Sequence, residues 1–116
     1  MISFLSTFAT TTDPSLKKNY PHILVKGRPN VIFEMLLSYC KEKTCKNIKT
    51  NIDFFDIYGE KDGYDYSFSL KESGIDNYTW EIQISIFSKR KRGRCFTRLQ
   101  IVYDEVLDKI IQQQYS

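Results

Sequence analysis

The sequence predicts an α+β fold, a two-layer sandwich in which two helices cover one face of an antiparallel meander sheet of four to five strands. A length of 116 residues suits one domain with a single core. Aromatic side chains make up 15% of the residues, which favours sheet. Apolar residues alternate with polar ones through most of the chain, whereas two segments have helical spacing. Since this alternation buries only one sheet face, both helices are expected there, in the order β-α-β-β-β-β-α.

The chain is expected to begin with an arm that precedes the domain. Residues 1–18 are interpreted as this arm, with an edge strand expected at 2–8, and residues 19–116 as the single α+β domain. Tyr20–Lys26 is rich in β-branched and aromatic residues and predicts the first strand of the domain.

A helix is predicted after the turn Gly27–Asn30. Pro29 suits the first helical turn, where its missing N–H costs nothing. The apolar residues of Val31–Cys40 recur at i, i+3, i+4 and i+7, which places them on one helical face. This helix is expected to end by Thr44.

The next strand is predicted to run through residues 48–57 and to contain a β-bulge. Its alternation changes phase at Phe54-Phe55, as one extra residue in a strand would cause. Ile52 and Ile57 are therefore both expected in the core. Asp62-Gly63 then predicts a tight hairpin turn.

Three strands and a helix are predicted in the C-terminal half. The alternation predicts strands at 64–70 and 78–86, separated by a polar turn, and a further strand at 95–103. Asp104 is expected to cap the last helix, whose apolar face continues to Ile111.

The most informative motif is a basic run between the last two predicted strands. Five of the six residues in Lys89–Arg94 are basic. The chain holds 17 Lys and Arg against 14 Asp and Glu, a net charge of +3, so the remainder would be negative without this run. A turn at Arg92-Gly93 would place Phe87 beside Arg98 on the polar sheet face, with Phe96 facing the run.

These features predict a small non-enzymatic domain that binds nucleic acid or another polyanion. Cations would contact phosphates while aromatic side chains stack on bases, as in proteins that hold single strands. The predicted polyanion-binding residues are Lys89, Arg90, Lys91, Arg92, Arg94 and Arg98, and the predicted stacking residues are Phe87 and Phe96.

Other interpretations of the same residues stay open. The basic run could be a solvated hairpin tip whose charge prevents edge-to-edge aggregation, with both aromatic side chains covered by the arm. It could also contact an acidic protein surface or act as a localisation signal. The main alternative function is a protein–protein interaction module, such as an inhibitor, adaptor or assembly factor, that uses the polar sheet face and the charged hairpin tips. A third alternative is an apolar ligand held in a cup between sheet and helices.

An acidic cluster forms the second charged feature. Seven acidic residues and two lysines lie between Asp53 and Asp76. Their spacing does not match a calcium-binding loop, so they are expected to be solvated turn residues. Separation of this cluster from the basic run would give the molecule a dipole that can steer a charged partner.

The sequence carries no motif for catalysis, and no cofactor is predicted. Nucleophile-elbow, Walker and zinc-protease motifs are all missing from it. The odd set Cys40, Cys45 and Cys95 does not predict a disulfide framework or a zinc site, and free thiols suit a reducing compartment. No stretch approaches the length of a membrane span, so a cytoplasmic location without a membrane partner is expected.

Overall fold

The computed structural model describes residues 3–10 and 20–114, with side chains for residues 22–113. Its elements in chain order are strands β1 (Ser3–Thr10) and β2 (Tyr20–Lys26), helix α1 (Pro29–Glu42), strands β3 (Lys46–Asn51), β4 (Asp56–Lys61), β5 (Tyr64–Glu72), β6 (Thr79–Ser88) and β7 (Gly93–Arg94), and helix α2 (Phe96–Gln114). The two described helices pack with one sheet around a shared core, so the predicted α+β sandwich is confirmed.

The strands form an antiparallel sheet in the order β1-β2-β6-β5-β4-β3, and β7 pairs with the end of β6. A four-stranded antiparallel meander is present as β3-β4-β5-β6, but its members differ from those predicted, because the predicted strand at 48–57 is two strands and most of the predicted strand at 95–103 is helix. β2 pairs with β6 and β1 pairs with β2, which completes the sheet. β2 occupies the predicted residues, and β1 is an edge strand that runs antiparallel to it from Ser3 to Thr10. The domain boundary expected at residue 18 lies outside the described residues.

The core lies between one face of the sheet and the two helices. Alternate strand residues supply its sheet side, namely Ile23, Val25, Ile57, Tyr66, Phe68, Leu70, Ile82, Ile84 and Ile86. The predicted apolar stripe of α1 supplies Ile32, Phe33, Met35, Leu36, Tyr39 and Cys40. Full burial of one such large side chain stabilises the fold by roughly 1.5–3 kcal/mol. The other face of the sheet, called the outer face here, carries polar residues such as Ser67, Gln83 and Ser85.

The hairpin predicted at Asp62-Gly63 is confirmed. Lys61 pairs with Tyr64, so β4 and β5 are joined by a two-residue turn. Asp62 and Gly63 have φ values of +54° and +83°. Positive φ at both central residues is the requirement of a type I′ turn, and Asp-Gly satisfies it with little strain.

The bulge predicted at Phe54-Phe55 is wrong, because residues 52–55 form a turn between two separate strands. Asn51 pairs with Asp56 across this turn, and Phe55 has a φ of +52°. Ile57 is fully buried as expected, whereas Ile52 is 56% exposed and does not point into the core. The predicted single strand is therefore the hairpin of β3 and β4.

The strand predicted at 95–103 is also wrong, since α2 begins at Phe96. Leu99, Val102, Val106 and Ile110 are spaced by three or four residues and are all buried on one face of this helix. The physical reason is that this face packs into the core between the helices and the sheet. β2 already pairs with Thr79–Gln83 of β6, and beyond it, among the described residues, only the two-residue strand β7 pairs along this edge, with Phe87 and Ser88. Asp104 thus lies inside α2, where it accepts a hydrogen bond from Gln100 at 3.0 Å and caps nothing.

Neither of the described helices combines the length and hydropathy of a bilayer-crossing segment.

Candidate polyanion-binding site

The basic run forms a four-residue loop, Lys89–Arg92, between β6 and β7. Its backbone is held at several points. The Lys89 N–H donates to the Gly63 carbonyl at 3.0 Å, which fixes the loop beside the β4–β5 turn. The Lys91 N–H donates to Ser88 Oγ at 3.3 Å, and Arg92 has a φ of +49°. The loop is thus shorter and better anchored than the long hairpin expected from the sequence, and the expected position of Phe87 beside Arg98 is wrong because Phe87 pairs with Arg94.

Lys89 is engaged inside the molecule. Its Nζ lies 2.9 Å from Glu60 Oε1 and 3.4 Å from Asp65 Oδ1. Glu60 also accepts a hydrogen bond from Asn47 Nδ2 at 2.9 Å. The hydrogen bond from Lys89 is the main reason why the pKa of Glu60 lies below its usual value. Lys89 therefore links the loop to β4 and β5, and its charge is largely compensated.

The other three residues of the loop, Arg90, Lys91 and Arg92, are not engaged in ion pairs among the described residues as Lys89 is. All three side chains are exposed, and none forms an ion pair with a residue in the described part of the chain. Arg94 pairs with Phe87 across β7 and β6, so it lies on the outer face, above a shallow depression that Ser67 and Gln83 help to line. The three cations at the tip of the loop thus carry positive charge that no ion pair within the described residues compensates.

The two aromatic residues predicted to stack do not share a surface. Phe87 lies on the outer face and is 40% exposed. Phe96 begins α2 and packs against the core. Tyr58, which was not among the predicted site residues, is 47% exposed on the outer face, next to Lys49 on the neighbouring strand. Tyr58 and Phe87 border the same groove, so the outer face presents two aromatic rings. The alternation Ile57-Tyr58-Gly59 is the signal that assigns Tyr58 to this face.

Arg98 lies on the opposite side of the sheet from Phe87. Its Nη1 donates to Tyr66 Oη at 3.0 Å, and its guanidinium carbon lies 4.1 Å from the centroid of the Tyr64 ring. The Asp62 carboxylate is further away, at 3.9 Å. The hydrogen bond with Tyr66 is the first cause of a raised Arg98 pKa. Arg98 therefore lies in a cleft between sheet and helices and not on the outer face beside Phe87.

The predicted acidic cluster is divided between the two ends of the sheet. Glu60, Asp62 and Asp65 lie beside the basic loop, as the contacts above show. Asp56 accepts a hydrogen bond from Ser69 Oγ at 2.8 Å further along the strands. Asp76 accepts one from the Tyr78 N–H at 2.8 Å in the β5–β6 loop, and this bond is the main cause of its lowered pKa. Acidic and basic charge are therefore less separated than the sequence suggests.

The cysteines and the histidine lie apart from the loop tip. Cys40 is buried, Cys45 and Cys95 are half-buried, and all three are free thiols. His22 Nδ1 lies 3.4 Å from Glu81 Oε2 on the outer face. Within residues 22–113, no group of three or more His, Cys, Asp or Glu side chains could hold a metal ion.

Comparison with known proteins gave no match among family models, curated proteins or solved structures.

Proposed function

We propose that this protein is a small non-enzymatic domain that binds single-stranded nucleic acid or a similar polyanion through the loop Lys89–Arg92 and the adjoining outer face. One observation carries the proposal. Arg90, Lys91 and Arg92 are exposed and form no ion pair with a described residue, while Phe87 is exposed on the strand that leads into the loop. Adjacent cations and aromatic rings are the groups that hold phosphates and bases of single strands.

The anchoring of the loop supports binding. The hydrogen bonds from the Lys89 and Lys91 amides hold the backbone in place before a ligand arrives. A preformed loop loses less conformational entropy on association, so more of the electrostatic attraction contributes to affinity. The side chains at the tip stay free to follow the spacing of the phosphates.

The acids near Phe87 define how a strand would lie. Asp65 pairs directly with Phe87 across β5 and β6, and Glu60 pairs with Asp65. These carboxylates repel phosphates, whereas the rings of Phe87 and Tyr58 can stack on bases. The sugar–phosphate backbone would therefore follow Arg90–Arg92 and Arg94, with its bases turned toward the outer face.

Fluorescence anisotropy with labelled single-stranded oligonucleotides tests the proposal. The wild type should bind at low salt, and the triple substitution of Arg90, Lys91 and Arg92 by Ser should abolish most of the affinity. A matched control replaces Lys26, Arg28 and Lys71 by Ser, which removes the same charge from the other end of the sheet. Absence of wild-type binding at about 50 mM salt, where electrostatic contacts are still strong, would overturn the proposal.

A second candidate function, a protein-interaction module, is favoured by the opposite end of the sheet. The β3–β4 turn exposes Ile52 and Phe54 by 56% and 66%, and the β5–β6 loop exposes Ile75 and Tyr78 by 66% and 67%. Both loops lie at this end, since the Leu70 N–H donates to the carbonyl of Phe55 at 3.2 Å. Turn tips are usually polar, and clustered exposed apolar side chains are typical of interaction surfaces.

Affinity capture tests this candidate. A partner that uses the apolar end should be retained by the wild type and by the triple loop variant, but lost from Phe54→Ser/Tyr78→Ser. A partner lost only from the loop variant would instead use the basic tip. Equal recovery of every protein by all three baits would remove the support for this second candidate.

A further inference from the structure

A cleft opens between α1, α2 and the inner face of the sheet, close to the start of α2. Its volume is about 320 Å³. Tyr39 from α1, together with Tyr64 and Tyr66 from β5, forms much of its wall. Lys61 at the end of β4 and Arg98 in the first turn of α2 also line it. The cleft therefore combines aromatic walls with positive charge.

Arg98 is oriented in the cleft mainly by uncharged groups. The Tyr64 ring lies 4.1 Å from its guanidinium carbon, and the Tyr66 hydroxyl accepts one of its N–H groups at 3.0 Å. An arginine with a structural role is commonly held by a carboxylate, but the Asp62 oxygen lies 3.9 Å away, beyond hydrogen-bond length. A guanidinium has five N–H donors in a fixed plane, so donors remain for a ligand. The Tyr66 hydroxyl, which accepts from Arg98, keeps its own proton to donate.

Lys61 adds a second positive charge to the cleft. It pairs with Tyr64 at the end of the β4–β5 hairpin, and its side chain is half-buried. Lys61 forms no ion pair with a residue of the described part of the chain. The third cation, Lys43, forms an ion pair with Glu105, so these two charges cancel. The lining thus retains two positive charges that no lining carboxylate balances.

We propose that this cleft binds a small organic anion, whose carboxylate or phosphate lies between Arg98 and Lys61 and whose apolar part rests on the tyrosine rings. Planar guanidinium groups bind both kinds of head group through paired hydrogen bonds. The volume lies near the lower limit of ligand pockets, about 300 Å³, which favours a compact ligand with one ring. An uncharged apolar ligand would leave Lys61 without a counter-charge and Arg98 with only the Asp62 carboxylate at 3.9 Å. Because Phe87 and Tyr58 lie on the other face of the sheet, this site is separate from the outer face, and it adjoins the loop only through the β4–β5 turn.

A titration followed by 1H–15N NMR tests the site with benzoate, phenyl phosphate and the uncharged analogue benzyl alcohol. Both anions should cause saturable shifts at the amides of Tyr66, Thr97 and Arg98, and benzyl alcohol should cause none. The relative affinities of benzoate and phenyl phosphate then distinguish a carboxylate site from a phosphate site.

Substitutions separate this site from the rest of the molecule. Lys61→Gln should weaken anion binding roughly tenfold, the scale of one charge-assisted hydrogen bond. Lys71→Gln is the matched control, and it should bind as the wild type does. The Ser substitutions at Arg90, Lys91 and Arg92 should also leave anion binding in the cleft unchanged. Failure of this proposal is therefore distinguishable from failure of the proposed function. No saturable shift with either anion, equal shifts with benzyl alcohol, or unaltered binding by Lys61→Gln would overturn the proposal.

Discussion

Trp80 shows how single aromatic residues close the core at the end distant from the basic loop. Its ring lies 5.8 Å from that of Phe55, which in turn lies 6.0 Å from that of Phe33, and both contacts are edge-to-face. Such pairs contribute about 0.5–1.5 kcal/mol beyond the area that they bury. Trp80 is half-buried on the core face of β6, and Phe55 reaches it from the β3–β4 turn. The β3–β4 turn, where a bulge was predicted from the sequence, therefore contributes to the packing of the core.

Replacement of Trp80 by Ala should destabilise the protein by about 2–4 kcal/mol, because it removes a large part of this aromatic row. The free energy of unfolding in urea measures the effect. Phe55→Ala should cost less, and the double variant should cost less than the sum of both, since the two rings contact each other. Strict additivity would contradict the contact between Phe55 and Trp80.

The buried thiol of Cys40 should make the stability of the protein depend on pH. Burial is the main cause that raises the pKa of its thiol from 9.0 to about 12. Between these values the unfolded chain releases the proton while the folded protein keeps it. The folded state then binds more protons than the unfolded state, so stability falls as pH rises.

The expected loss due to Cys40 is about 1–2 kcal/mol by pH ~10.5, on the scale of 1.36 kcal/mol per pKa unit. Urea unfolding at pH ~8 and pH ~10.5 measures it in the wild type and in Cys40→Ala. The variant should lose less stability over this interval. Cys45 and Tyr39, whose pKa values are also raised by burial, contribute to the loss of stability in both proteins. Equal losses would contradict a thiol held neutral by the core.

At the scale of elements, α2 shows why part of this fold could not be predicted from local patterns. Leu99, Ile101 and Tyr103 alternate as a strand would, yet Leu99, Val102 and Val106 have helical spacing. The choice depends on contacts with distant segments, since the helical face of α2 is buried in the core and β2 already pairs with Thr79–Gln83 of β6. Segments with local signals, such as the Asp62-Gly63 turn, were predictable because turn chemistry alone determines them.

The same difference between local and long-range signals explains which residues of the candidate sites could be predicted from the sequence. Exposure of Arg90–Arg92 follows from their charge and their place in a connection, so the sequence predicts it. The position of Arg98 depends on the helical phase of α2, so the sequence assigns it to the wrong surface. The contact of Arg98 with Tyr66 joins residues that are 32 positions apart, and no local pattern encodes it.

Neighbouring substitutions in α2 distinguish its helical phase from a strand. Ile101 is 55% exposed and Val102 is 3% exposed. Ile101→Gln should therefore change the free energy of unfolding by no more than about 0.5 kcal/mol, as for most surface positions. Val102→Gln should cost about 2–4 kcal/mol, because it buries an amide without a partner and loses core packing. Urea unfolding of both variants measures this, and the reverse order would indicate a strand.

At the scale of the whole molecule, the charges divide into compensated and uncompensated sets. Lys89 and Lys109 form close ion pairs with Glu60 and Glu42, and Lys43 pairs with Glu105. These pairs connect β6 to β4 and α1 to α2. Among the described residues, the cations without such an ion pair include Arg90, Lys91 and Arg92 at the loop tip and Lys61 in the cleft, besides exposed lysines elsewhere on the surface. The outer face and the cleft, for which we propose two different anionic ligands, are separated by the sheet.

The salt dependence of nucleic-acid binding reports how many of these cations contact phosphates. If Arg90, Lys91, Arg92 and Arg94 make three to four contacts, the plot of log affinity against log salt should have a slope of roughly −2 to −3, at ~0.7 per phosphate. All six predicted cations would give a slope of about −4, so a value that steep would contradict the internal roles of Lys89 and Arg98.

Serine at positions 90–92 should flatten the slope by about 2 units. Phe87→Ala should weaken binding by ~1–3 kcal/mol without altering the slope, because stacking releases no counterions. Anisotropy titrations at several salt concentrations measure all of these values. The control at Lys26, Arg28 and Lys71 loses the same charge, so an equally flattened slope there would indicate attraction to net charge and not to the loop.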